Sequence, residues 1–209
     1  MTRPIRRPRR PRGLYGAGVT FTIDEVVRRL RAAGVSLDKG LTDRSVREIE
    51  KRFNFTFGLD HRRLLETVQP TGDRWVDWRH ADDQELQVRL GWPTEGVIFD
   101  VHNSGFWARS WGDRPADREA AEEIAREQLR RAPRLVPLYG HRFLPAAPAD
   151  TGSPVFSVYQ TDVIYYGDNL LDYVAHEFRV GPLHPTDPAD RTHVYFWSDL
   201  AEGATDTDL

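Results

Sequence analysis

The chain has 209 residues, 39% hydrophobic and 29% charged, which is the balance of a soluble globular domain and not of a fibrous or low-complexity chain. No apolar run approaches the ~18 residues that cross a bilayer and no apolar stretch follows the basic start, so no membrane segment or secretory leader is expected, and the expected location is cytoplasmic. Cysteine is absent, which excludes disulfides, thiolate metal sites and cysteine nucleophiles. The net charge of -3 hides a polarised chain: MTRPIRRPRRPRG holds six arginines and no acid, and without them 23 basic residues face 32 acidic ones, a balance of -9.

In chain order, residues 1–18 show no apolar periodicity and are expected to form a disordered basic tail, read either as a solvated end or as an arm for an anionic surface. The acidic body argues against nucleic acid binding except through that tail. Residues 20–34 read as a short helix capped by Asp24 and stopped by Gly34. TDRSVREIEKRF (42–53) is a clearer helix, with Thr42 or Asp43 as cap and Val46, Ile49 and Phe53 on one face. The aromatic link FNFTFGL should pack down before a third helix at about 60–68. The tryptophan-rich stretch up to Gly91-Trp92-Pro93 reads as irregular. GVIFDV (96–101) is expected to be a strand, HNSG a turn and FWARSW (106–111) a returning strand. A long helix should run over about 115–131, acidic early and basic late, and end at Pro133. RLVPLYG, PVFSVY and DVIYYG read as strands, and residues 168–178 as a helix capped by Asp168 or Asn169. THVYFWSDL reads as a final strand or extended segment, and residues 201–209 as an acidic, disordered end. Helices first and short-turned strands later predict an α+β fold, a mainly antiparallel sheet with helices packed on one side, in a single domain over 19–200.

An opening block and four later ones then carry a resemblance. LTDRSVREIEKRFNFTFGLDHRRLLETV is similar to the opening of the SUKH superfamily, which includes the Smi/Knr-type regulators of fungal cell-wall synthesis and killer-toxin resistance. GVIFDVHNSGFW, PRLVPLYGHRFLP, PVFSVYQTDVIYYGDNLLDYVAHEF and FWSDL resemble actinobacterial members, in the same order, so that the likeness covers roughly 41–200. One departure is Gly58, where the family often has proline after its F-x-F joint. The resemblance implies helices on one antiparallel sheet and a binding role: bacterial members are associated with toxin neutralisation as immunity proteins, fungal ones with cell-wall signalling. It brings no shared catalytic residues.

The residues themselves offer little chemistry. Gln160-Thr161-Asp162 falls where PVFSVY and DVIYYG reverse, so a structural turn is its expected role. Asp100 and His102, two apart on the expected strand, point to one side. No H-E-x-x-H, G-x-S-x-G, P-loop or dinucleotide fingerprint is present. No metal and no cofactor are therefore expected. Five tryptophans between Trp75 and Trp111 exceed what a polar stretch needs for its core; Trp78 beside Asp77 and Arg79, and Trp107 near Arg109, are the expected exposed anchors. The expected partner-binding residues are Asp77, Trp78, Trp107, Arg109, Tyr139, His141 and Asp162. Together they predict a non-enzymatic domain that binds a protein partner, such as a basic toxin domain. The alternatives are a regulatory scaffold, or a small-ligand or metal-dependent enzyme using Asp100, His102, His141 and Asp162.

Overall fold

A computed structural model describes residues 21–183 and 186–203. The expected basic tail, and all of the expected acidic end beyond Gly203, lie outside these residues. In chain order the elements are α1 (Ile23–Ala32), β1 (Ser36–Lys39), α2 (Asp43–Phe53), α3 (Leu59–Thr67), β2 (Val68–Thr71), α4 (Asp83–Asn103), α5 (Arg118–Leu129), β3 (Leu135–Tyr139), β4 (Arg142–Pro145), β5 (Val155–Tyr159), β6 (Asp162–Gly167), α6 (Leu170–Phe178) and α7 (Trp197–Ala201). Strands β3, β4, β5 and β6 form an antiparallel meander in that order, and β1 pairs with β2 in a separate two-stranded sheet. The class is α+β.

Alternation along the meander builds two cores. Leu135, Phe143, Phe156 and Val163 pack with Val97 and Val101 of α4, Ala121 and Ala125 of α5, and Trp197 of α7. Leu138, Leu144 and Val155, each offset by an odd step or by the β3 irregularity at Pro137–Tyr139, pack instead with Val26 and Leu30 of α1, Leu64 of α3 and Leu170 of α6. Helices thus cover both sides of the sheet, a second layer beyond the expected one-sided packing. A third cluster joins α2, α3 and the first half of α4 around Phe57 and Trp78. Within it His61 is fully buried, edge-on to Phe57 at 5.0 Å, and neither ring nitrogen has a hydrogen-bond partner. Burial alone depresses its pKa to about 3, so the ring is neutral.

Caps set several helix starts. Thr22, not Asp24, accepts from the Glu25 amide and opens α1. Thr42 accepts from Ser45 to open α2, and Asp117 accepts from Ala120, starting α5 a little later than expected. Asn169 caps α6, which leaves Asp168 to accept from the Thr186 amide at 2.6 Å and to pair with Arg191. Gly58 suits its place: a Cβ there would lie 2.4 Å from the Pro145 carbonyl oxygen.

The middle of the chain departs from expectation. GVIFDV is not a strand but the second half of the 21-residue α4, which contains Pro93. The buried positions Leu86, Leu90, Pro93, Val97 and Val101 recur every three or four residues, the helical period, and Asp82 caps the helix by accepting from Glu85 at 2.8 Å. β-Branched content and the Gly-Trp-Pro triplet suggested otherwise, but packing on the sheet outweighs both. FWARSW does not return as a strand either; Arg109–Trp111 is a single 3-10 turn. THVYFWSDL ends in α7, whose Trp197 donates its indole N–H to the Pro133 carbonyl at 2.7 Å. Val68 opens β2 instead of ending α3, held by pairing with Lys39.

Candidate functional site

The geometry of the site begins with the two-residue turn Gln160-Thr161, between the paired residues Tyr159 and Asp162. Gln160 adopts φ 57°, a conformation glycine would take more cheaply. The turn is held from outside. The buried Asp100 carboxylate on α4 accepts from the Thr161 amide at 2.9 Å and from its hydroxyl at 2.6 Å. Gly96 allows the contact: a Cβ there would sit 2.9 Å from the Gln160 Cα. Charge-assisted bonds of this kind are short and strong. The polar turn thus works as a joint that fixes the hairpin tip to the helix.

Beside that joint, α4 runs past the tips of both hairpins. One wall carries Val88, Arg89 and Trp92; the other carries His141, Phe143 and Tyr159, with Arg74 at the end. The space between is about 700 Å³, and a second hollow of about 470 Å³ continues it toward Glu95 and Phe99, sharing Val88, Trp92 and Tyr159. Along α4 from Asp82 to Phe99 the groove is ~26 Å long at 1.5 Å per residue. Its apolar rim is open: Val88 is 60% exposed, Trp92 45%, Phe99 51% and Tyr159 59%. A continuous exposed apolar stripe of this kind marks an interaction surface more often than four scattered residues would.

The polar groups of the groove are mostly committed. Arg89 pairs with Glu85 at 3.0 Å. Glu95 receives both terminal nitrogens of Arg126, at 2.7 and 2.8 Å, and its carboxyl is held below the usual range chiefly by that contact. Arg74 lies over the Tyr139 ring, 4.7 Å from its centroid, and its carbonyl accepts from Gly140 at 2.7 Å. The His141 ring is pushed below its ordinary pKa by burial first and then by Arg142 and Arg74, with Glu177 opposing, so the ring is neutral at pH 7.

The expected binding residues divide. His141 lines the groove. Tyr139 borders it, wedged against Trp75 and Phe178 under Arg74. Asp162 is exposed beside Tyr159 at the hairpin end. Arg109 is exposed at the far end of α4. Trp78 and Trp107 are corrections: both are buried. Trp78 packs edge-on to Phe57 at 5.0 Å, and Trp107 packs on Trp111 at 5.3 Å and donates to the Gly112 carbonyl. Asp77 ties down its own loop, accepting from the Arg79 and His80 amides; burial opposes ionisation there, but these bonds and the His80 ring hold its pKa down.

The four residues of the enzymatic alternative do not converge. Asp100 holds the hairpin, and His102 lies between Glu122 at 2.8 Å and Arg118 at 2.9 Å. His141 is in the groove and Asp162 on the surface. Asp100 and His102 stand on a helix, so they do not share a strand face. Among the described residues no cluster of three His, Asp or Glu side chains is arranged to hold a metal ion, and no helix is long and apolar enough to cross a membrane. Sequence reasoning missed Val88, Trp92 and Phe99 because their stripe appears only when 83–103 is read as one helix with apolar residues on two faces. Comparison of the chain with protein-family models, curated proteins and solved structures found no match in any of the three.

Proposed function

We propose that the protein is a non-enzymatic binding domain that docks a protein partner in the groove between α4 and the two hairpin tips, and that it acts as an immunity-type protein, neutralising a basic toxin domain by occlusion. The observation that carries this reading is the open stripe of Val88, Trp92, Phe99 and Tyr159 along a groove of about 700 Å³ and its extension. Large aromatic side chains at low entropic cost are the usual anchors of such contacts. The acidic body, -9 without the arginine-rich start, favours a basic partner, speeds its encounter and disfavours self-association.

The resemblance to immunity proteins supports the toxin identity, and the groove supplies the place. The test is capture of partners from a lysate of the native host, identification of the bound protein, and titration of that purified protein against wild type and the double variant Trp92→Ala, Tyr159→Ala. A basic partner that loses about 100-fold in affinity, the loss of two anchors of ~1.4 kcal/mol each, supports the reading. Unchanged affinity for the double variant refutes the groove as the docking face.

A further inference from the structure

We propose that the larger hollow of the groove binds a small monocarboxylic acid, its carboxylate on the Arg74 guanidinium and its apolar body among Val88, Trp92, Phe143 and Tyr159. The inference uses the groove but does not depend on a protein docking there. It rests on a guanidinium that is held in place with its donors unfilled. Arg74 lies on the Tyr139 ring, 4.7 Å from the centroid. It also packs against Gly140, where a Cβ would stand 3.0 Å from Nη2 and 3.2 Å from Nε, so the missing side chain makes room for the guanidinium. Gly140 itself has φ 55°, and its amide donates to the Arg74 carbonyl at 2.7 Å. Yet among the described residues no carboxylate or other acceptor meets the Arg74 side chain. The neighbouring arginines are spent: Arg89 on Glu85, and Arg142 on Glu177 and Ser157. A guanidinium offers a planar fork of donors that matches a carboxylate, and one already fixed by packing loses little entropy on binding.

The rest of the hollow fits the same ligand. His141 lines it, and its ring nitrogens have no hydrogen-bond partner among the described residues. A neutral imidazole there supplies one further N–H. Of the charged lining residues, Arg89 and Glu85 offset each other as a pair, which leaves Arg74 against Asp82. Asp82 opposes an anion, but it is exposed and accepts from the Glu85 amide as the cap of α4. A phosphate monoester would bring a second negative charge that no second free cation of the hollow meets, so the single guanidinium selects a monoanion. Arg74 is exposed as well, and solvent screens its contact. Most of the affinity must therefore come from the apolar body. A hollow of about 700 Å³ with apolar walls and few polar groups has the size and lining of a small-molecule cleft.

The test compares 4-phenylbutanoate with its neutral amide, 4-phenylbutanamide, by titration into the full chain at pH 7 and low salt. The six tryptophan indole N–H resonances are followed by NMR. Five tryptophans are buried and Trp92 is half-exposed; Trp92→Phe assigns its resonance. The expected result is a saturable shift of the Trp92 indole with Kd on the order of millimolar, the affinity usual for roughly 12 non-hydrogen atoms. The acid should bind about fivefold more tightly than the amide, the upper end for a screened charge pair. Arg74→Met should remove that preference while the amide binds as before. Arg74→Gln takes its place if the melting temperature shows the Met variant unfolded. No saturable Trp92 shift, equal affinity for acid and amide, or a preference that survives the loss of the Arg74 charge overturns the proposal. The capture experiment with Trp92→Ala, Tyr159→Ala uses neither probe, so failure of the carboxylate site and failure of the docking face are separate results.

Discussion

His61 makes stability pH-dependent in a way that can be calculated. In the unfolded chain its imidazole titrates near the ordinary 6.5, whereas in the fold burial holds it to about 3. Below 6.5 the unfolded state takes up a proton that the folded state refuses. Stability is therefore complete above the unfolded pKa and is lost progressively as the pH falls toward 3. At pH 5.0 the loss is about 2 kcal/mol relative to pH 7.5, at 1.36 kcal/mol per pH unit below 6.5. That is a large part of the 5–15 kcal/mol typical of a folded domain. His61→Leu removes the titrating group and two unpartnered ring nitrogens at nearly conserved volume. Urea unfolding of wild type and variant at the two pH values isolates the effect, because carboxylates elsewhere cancel in the double difference. Asp60, whose pKa is raised chiefly by burial, is adjacent; its contribution has the opposite sign, present at low pH and lost as pH rises through its folded pKa. Asp60 is present in both proteins, so its contribution cancels in the same double difference. The variant should lack about 2 kcal/mol of the wild-type pH dependence. Parallel curves for the two proteins would refute the account of a dry, neutral ring.

Two further outcomes check the frame of the groove. Gly96→Ala should destabilise by about 1–3 kcal/mol despite the better helix propensity of alanine, because its Cβ would meet the Gln160 backbone; a rise in melting temperature would contradict that approach. Trp78→Ala should cost about 3–5 kcal/mol and Trp92→Ala less than about 1 kcal/mol, separating core from rim, and similar losses for both in chemical denaturation would contradict the assignment.

Elements with one clear signal were legible in the sequence. The period of Val46, Ile49 and Phe53, with Thr42 or Asp43 as cap, marks α2, which the structure opens at Thr42, and runs rich in Val, Phe and Tyr mark β3, β5 and β6. The joint at Gln160-Thr161 was placed correctly, but its partner Asp100 lies 61 residues away on an element read as a strand, so the clamp itself was invisible. α4 was hidden by conflict: Gly91, Pro93 and Gly96 oppose a helix locally, and only burial on the sheet resolves the conflict. The same misreading concealed the rim, since Val88, Trp92 and Phe99 align only on a continuous helix. Charged neighbours suggest that Trp78 and Trp107 are exposed, yet Trp78 packs on Phe55 and Phe57 from a distant part of the chain, and Trp107 packs on Trp111, four residues on, because a 3-10 turn replaces the expected strand. β1 has no alternation of its own and exists because β2 pairs with it.

The clamp of Asp100 on Thr161 leaves little room for the cleft to widen or narrow by loop drift. Lengthening that reverse turn would pull its threonine off the carboxylate and unseat the sheet as well. On the proposed docking role, a new binding preference would be channelled into exchanging side chains at 88, 92, 99 and 159 on a backbone held constant, so that related chains should keep Gly96 and Asp100 and differ along the rim.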